Sequence, residues 1–133
     1  MKVVADTNVL IRSVVRDDKT QARAADRALK QATVIAITLP VLCEFVWVLR
    51  SVYALAPADI AAAIRTLLDI PSVSVNRPAV EAGLALLTAG GDFADGVIAY
   101  KGQQLGGEIF VSFDKQAASL LSNLGISTSL LNR

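Results

Sequence analysis

The stretch MKVVADTN at residues 1–8 sets the pattern for the whole chain. Its β-rich run Val3–Ala5 predicts a strand, and the carboxylate of Asp6 follows directly. Short β-rich runs alternate with helical runs from there on. We predict strands at Val3–Ala5, Val34–Ile37, Val73–Val75, Ile109–Ser112 and Ile126–Ser129.

The segments between these strands have helical spacing of apolar residues. Helices are predicted near Val9–Arg16, Thr20–Gln31, Pro40–Tyr53, Ala58–Leu68, Ala79–Thr88, Phe93–Leu105 and Lys115–Leu124. This order predicts one α/β domain over residues 1–133, with a mostly parallel five-stranded sheet covered by helices on both faces. In such folds ligands bind at the carboxyl ends of the strands.

Composition narrows the class of protein. At 133 residues with 53% hydrophobic residues, the chain can fill one core and leave apolar surface for an oligomer. No continuous apolar run reaches the roughly 18 residues of a membrane span. Asp6 also interrupts the apolar core that a signal peptide would need. Cys43 is the only cysteine, which excludes an internal disulfide and favours a reducing cytoplasm.

The chain has no histidine and a net charge of only +1. These facts exclude His-based catalysis, His-ligated zinc and a basic field over the whole molecule. The positive charges are nevertheless patterned, because four of them recur at helical spacing. They form either a solvated helix face or a strip that contacts phosphates. The four are Lys19, Arg23, Arg27 and Lys30.

Three carboxylates stand out by their position. Asp6 and Asp114 each follow a predicted strand directly, where each could join a site or cap the next helix. Glu44 lies in a helical stretch without another charge before Arg50. A carboxylate buried there would cost several kcal/mol unless it were paired, for example with Arg12.

Asp92 and Asp95 open a predicted helix after the Gly90–Gly91 turn. Asp92 is placed to cap that helix, whereas Asp95 could be a dipole partner or a member of a shared site. Several carboxylates in one cleft repel each other unless a cation lies between them. Oxygen ligands without Cys or His favour Mg²⁺ or Mn²⁺.

Four motifs in this order resemble the PIN-domain pattern of VapC-type toxins over nearly the whole chain. They are Asp6-Thr7-Asn8, the isolated Glu44, Asp92-Phe93-Ala94-Asp95 and Val111-Ser112-Phe113-Asp114. The resemblance implies an acidic site of Asp6, Glu44, Asp95 and Asp114, with Asp92 as a possible fifth member. Asn8 and Ser112 stand where such proteins orient the acids, and a turn or strand-end role is the alternative for both.

The implied activity is metal-assisted hydrolysis of a phosphodiester, because without histidine a divalent ion must activate the water. Asp6 and Asp95 are the first candidates for metal ligands. Asp114 would complete the site or recruit a second ion, and Glu44 would bind metal or position the water. Arg12 and Lys115 either contact phosphate or are solvated. Few aromatics favour a structured RNA, and the resemblance suggests tRNA or another translation-related RNA.

The resemblance also implies a small VapB-like antitoxin that blocks the acidic cleft, and we expect a homodimer. Trp47 lies among consecutive apolar residues, so either the core or a partner buries it. The apolar helix Ala79–Thr88, in which Gly83 permits close approach, is the expected dimer contact.

Two other kinds of protein remain as alternatives. The first is a catalytically silent PIN-fold module that binds RNA or protein. The second is another phosphoryl-transfer protein, but a haloacid-dehalogenase-like phosphatase needs Asp-x-Asp where this chain has Asp6-Thr7-Asn8. A receiver domain needs an aspartate after the third strand, where this chain has Asn76-Arg77-Pro78.

Overall fold

The computed structural model describes residues 1–132, which contain seven helices and five strands. It divides into two compact units, Met1–Asn76 and a second unit that begins at Arg77. The α/β class is confirmed. The prediction of one domain over residues 1–133 stays a prediction, and its last residue lies outside the described range.

The first unit is a three-stranded parallel sheet with four helices. Its elements are β1 (Lys2–Val4), α1 (Thr7–Val14), α2 (Lys19–Gln31), β2 (Val34–Ala36), α3 (Leu39–Ser51), α4 (Pro57–Leu68) and β3 (Val73–Ser74). The strand order is β1-β2-β3, with Ile35 opposite both Val3 and Val73. Ile35 is fully buried, so the central strand anchors the core of this unit.

Helix α3 buries one face and exposes the other. Leu42, Phe45 and Leu49 are buried at helical spacing, whereas Trp47 is 63% exposed. Trp47 is therefore not a core residue, which was one of the two expectations for it. Other side chains of α3 form the buried face of the helix. No helix within residues 1–132 combines the length and apolarity needed to cross a membrane.

The second unit contains three helices and a two-stranded parallel sheet. Its elements are α5 (Arg77–Thr88), α6 (Phe93–Gln104), β4 (Phe110–Ser112), α7 (Lys115–Asn123) and β5 (Thr128–Leu130). Strands β4 and β5 pair with Phe110 opposite Thr128. The prediction of a single five-stranded sheet is wrong, since the strands form sheets of three and two. A strand pattern specifies an extended segment but not the neighbour to which it hydrogen-bonds.

Strand β5 begins later than predicted because Ile126 has another role. Ile126 packs against the buried cluster of Leu86, Ala99 and Leu121, together with Phe110. Its backbone N–H donates to the carbonyl of Leu121 at 3.0 Å, which turns the chain after α7. Pairing with β4 therefore starts only at Thr128.

Helices α5 and α6 approach closely through two glycines. A Cβ on Gly83 would lie 2.6 Å from Cε2 of the buried ring of Phe93, and one on Gly96 would lie 2.4 Å from the carbonyl oxygen of Ala82. The close approach that Gly83 permits is thus made by Phe93 of the same chain, and the expected dimer contact along this helix stays a prediction.

Candidate functional site

The start of α6 carries two of the predicted acids. Asp92 is the N-cap residue, and the backbone N–H of Ala94 donates to its Oδ1 at 3.1 Å. The capping role expected for Asp92 is confirmed. Asp95 lies in the first turn of the same helix and is half-buried. Both carboxylates are near the positive end of the helix dipole, which tolerates negative charge.

The start of α7 carries a third acid. Asp114 caps this helix, with Oδ1 accepting from the backbone N–H groups of Gln116 at 3.0 Å and Ala117 at 3.1 Å. Its own N–H donates to Oγ of Ser112 at 2.9 Å. Ser112 therefore has the turn role that was its alternative, and through this bond it fixes the backbone of Asp114.

The beginnings of α6 and α7 lie close together in the second unit. Nε2 of Gln116 donates to the carbonyl oxygen of Gly90, in the turn before α6, at 3.3 Å. Burial raises the pKa of the Asp95 carboxyl above its ordinary value, and the charges of Asp92 and Asp114 raise it further. The charges of two neighbouring carboxylates thus act on Asp95, as like charges do when they lie close together.

In the first unit, Asp6 lies between the end of β1 and the start of α1. Its side chain is exposed, and the backbone N–H of Thr7 donates to its Oδ1 at 2.8 Å. Asp6 is the N-cap residue of α1, so the capping alternative is also confirmed. Asp6 and Asn8 both line a cavity between α1 and α2.

Glu44 does not have the environment that the sequence predicted. It lies on the exposed face of α3, so its charge is solvated and needs no buried partner. The suggested pairing with Arg12 is wrong, because Nη1 of Arg12 donates instead to Asp17 at 2.8 Å and to the hydroxyl of Tyr53 at 3.4 Å. Helix α3 follows β2, the neighbour of β1, so Glu44 belongs to the same edge of the parallel sheet as Asp6.

Capping leaves each of these aspartates able to bind a cation. Asp6, Asp92 and Asp114 accept backbone hydrogen bonds through Oδ1, and within residues 1–132 Oδ2 of each accepts none. Carboxylate oxygens are the ligands that Mg²⁺ and Mn²⁺ prefer, so the donor chemistry fits such an ion. The described part of the chain nevertheless has no ready-made group of three or more ligands.

Sequence reasoning did not identify Gly83 and Gly96 as residues that position the site. The two glycines let α6 lie directly on α5, and α6 carries Asp92 and Asp95 at its start. A glycine inside a helix costs about 1 kcal/mol relative to alanine, so its presence there signals a packing requirement. The sequence shows the two glycines inside helices, but it does not show against which helix each of them packs.

Comparison with known families agrees with this arrangement. The chain matches the PIN domain model over residues 3–120, which includes all the acids described above. PIN domains are in general nucleases, and they typically use divalent metal ions. No curated protein matches this chain significantly. Because the match spans most of the sequence, the chain belongs to the PIN-domain family.

Proposed function

We propose that this protein is a Mg²⁺- or Mn²⁺-dependent endoribonuclease. The observation that carries the proposal is the placement of Asp92, Asp95 and Asp114 at the neighbouring starts of α6 and α7, where Asp95 is half-buried. None of the three forms an ion pair with a residue in the described range. A fold that holds like charges together without a protein cation is suited to an external one.

The proposed site consists of Asp6, Glu44, Asp95 and Asp114. Asp95 and Asp6 would hold the ion, Asp114 would complete its oxygen shell, and Glu44 would bind the ion or orient the attacking water. A bound divalent ion would supply an activated water and neutralise charge on the scissile phosphate. Asp92 would act mainly through its cap and its charge beside Asp95, and Ser112 would position Asp114.

RNA as substrate is supported by the surface of α2. Lys19, Arg23, Arg27 and Lys30 are all exposed, and none forms an ion pair with a described residue. Unpaired cations along one helix face can neutralise phosphates in a way that does not depend on base sequence. This favours the phosphate-contact reading over the purely solvated face. A structured RNA such as tRNA is the proposed substrate.

A toxin role with a small VapB-like antitoxin is part of the proposal. Support comes from Trp47, which is exposed on α3 beside Glu44. Large exposed aromatics are frequent anchors of protein interfaces. An antitoxin segment covering Trp47 would also lie near the proposed acid on the same helix face. A homodimer remains proposed, without a surface assigned to it.

The decisive experiment compares two aspartates in equivalent helix positions. Asp95 and Asp59 are each the third residue of their helices, α6 and α4, so both interact with a helix dipole. With a mixed tRNA pool and Mg²⁺ or Mn²⁺, we expect Asp95→Asn to slow cleavage at least about 100-fold, because even outer-sphere changes cost 10- to 100-fold. Asp59→Asn should cleave like the unmodified protein.

Two results would contradict the proposal. One is cleavage that continues in EDTA, and the other is equal activity of Asp95→Asn and the unmodified protein. If the unmodified protein binds RNA but does not cleave it with either metal, the catalytically silent binding module is the correct reading.

A further inference from the structure

We infer that the cavity between α1 and α2 is a nucleobase pocket, which receives a base of the RNA near the cleaved phosphate. The cavity measures about 320 Å³, within the range of small-molecule sites. Asp6, proposed above as a metal ligand, forms part of its wall. The inference therefore rests on the proposed nuclease function and adds a recognition element to it.

The wall of the cavity offers the hydrogen-bonding groups that nucleobases need. The carboxamides of Asn8 and Gln21 line it, and both are exposed. A carboxamide presents a donor and an acceptor side by side, and this matches the alternating donors and acceptors on a base edge. Ala24 and Ala28 also line the cavity, and their small side chains leave room for a flat ring.

Charge in the cavity favours a neutral ligand over a phosphate. Arg12 lines the cavity, but Asp17 already neutralises it through a contact of 2.8 Å. Asp6 would in addition repel a phosphate. A base is neutral and polar, so it avoids this repulsion and can still accept hydrogen bonds from the wall.

One nitrogen of Arg12 also lacks a hydrogen-bond partner among the described residues. Its Nε is buried, and within residues 1–132 it has no hydrogen-bond partner. Buried donors without partners are rare in folded proteins, and they commonly mark a place for a water or a ligand. A base that enters the cavity lies against Arg12, and a small movement of this side chain would bring Nε to an acceptor on the base edge.

The test measures binding without metal, so that it is separate from catalysis. In EDTA, the four nucleosides and ribose 5-phosphate are titrated into the labelled full chain, and NMR follows the side-chain amides of Asn8 and Gln21 and the methyl group of Ala24. We expect at least one nucleoside to give saturable shifts of these signals. Ribose 5-phosphate should not.

A cavity-filling variant and a matched control complete the experiment. Ala28→Leu places a larger side chain in the cavity at an exposed helix position, where leucine is well tolerated. It should weaken nucleoside binding at least about tenfold. Ala62→Leu makes the same change on an exposed part of α4 that does not line the cavity, and it should bind like the unmodified protein.

Several outcomes would overturn the pocket. They are the absence of saturable nucleoside binding, equal shifts with ribose 5-phosphate, and equal loss of affinity in both leucine variants. The pocket would also be overturned if Ala28→Leu lost binding to a protein partner while its nucleoside binding stayed unchanged. The cavity would then receive a protein segment. If RNA is cleaved but nucleosides do not bind, only the pocket fails. If nucleosides bind but RNA is not cleaved, only the nuclease proposal fails.

Discussion

In the first unit, two aspartates lie against arginines, whereas in the second unit three aspartates lie at neighbouring helix starts without a described cation. Arg12 holds Asp17, and Arg16 holds Asp26 through two hydrogen bonds of 3.1 and 2.8 Å. These exposed pairs cap or join surface segments and contribute little free energy. In the second unit no described cation pairs with the three aspartates, and burial together with the charges of Asp92 and Asp114 raises the pKa of Asp95.

The contrast separates structural acids from candidate functional acids. A paired carboxylate is explained by its partner, and a lone cap is explained by the backbone N–H that it accepts. Asp95 has neither explanation within residues 1–132, because no described donor or cation contacts its carboxylate. Without a metal ion, the neighbouring negative charges disfavour the ionised form of Asp95. The proposed metal-binding function gives a reason for this arrangement. Four experiments test this difference between the two units.

The largest effect on stability is expected at the helix packing that places the trio. Gly96→Ala would force its Cβ against the carbonyl of Ala82, and we expect the free energy of unfolding to fall by about 1–3 kcal/mol. Gly102→Ala, on the same helix with open space around it, should instead raise stability by about 0.5–1 kcal/mol. Urea denaturation measures both. Equal stabilisation by the two alanines would show that α5 and α6 are not packed as described.

The second experiment asks whether a cation relieves the repulsion. At a Mg²⁺ concentration tenfold above its dissociation constant, the protein should gain about 1.4 kcal/mol, or about 5 °C in melting temperature. Asp95→Asn should lose this gain, whereas Asp59→Asn should keep it. An identical gain in both variants would mean that Mg²⁺ binds elsewhere.

The third experiment concerns the exposed positive charges along α2 in the first unit. Replacing Arg23 and Arg27 together by glutamine should reduce the slope of log affinity for RNA against log salt by about 0.7 per lost phosphate contact. The pair Lys2→Gln and Lys101→Gln removes the same net charge outside this helix face. If both double variants change the slope equally, the face of α2 is merely solvated.

The smallest effect is a shift in pH dependence. Because the pKa of Asp95 is raised, its proton persists to higher pH, so Mg²⁺ binding should weaken as the pH falls through that raised pKa. Without metal the sign is opposite: the contribution of Asp95 to stability is present below its unfolded pKa and is lost as the pH rises through the folded pKa.

Asp92→Ser keeps the helix cap but removes one of the two neighbouring charges. The acid limit of Mg²⁺ binding should then move to lower pH, by less than about one unit for this half-exposed group. Asp18→Ser makes the same exchange at the N-cap of α2 and should leave the limit unchanged. Calorimetric titrations across pH measure this limit, and a shift of equal size in both variants would break the link between Asp92 and Asp95.

The order of the elements and the positions of the acids within them were predictable from the amino-acid sequence. Alternating short β-rich and helical runs located every strand and helix to within a few residues, because those periodicities are local. The sequence also placed Asp6 and Asp114 after strands and Asp92 at a helix start, where capping chemistry is local too. The family resemblance rested on these same residues, and the match over residues 3–120 confirms it at the level of the PIN domain.

Only the tertiary structure decided which strands pair, which face of α3 is exposed, and what Gly83 touches. The prediction of five strands in one sheet was wrong, Glu44 is exposed and needs no buried partner, and the close approach expected at Gly83 is made within the chain. Each outcome depends on contacts with other segments of the chain. Thr128 pairs with β4, buried side chains surround Phe45 on α3, and Phe93 lies against Gly83. Local patterns specify conformation, but burial and repulsion between distant charges arise only when the chain is folded.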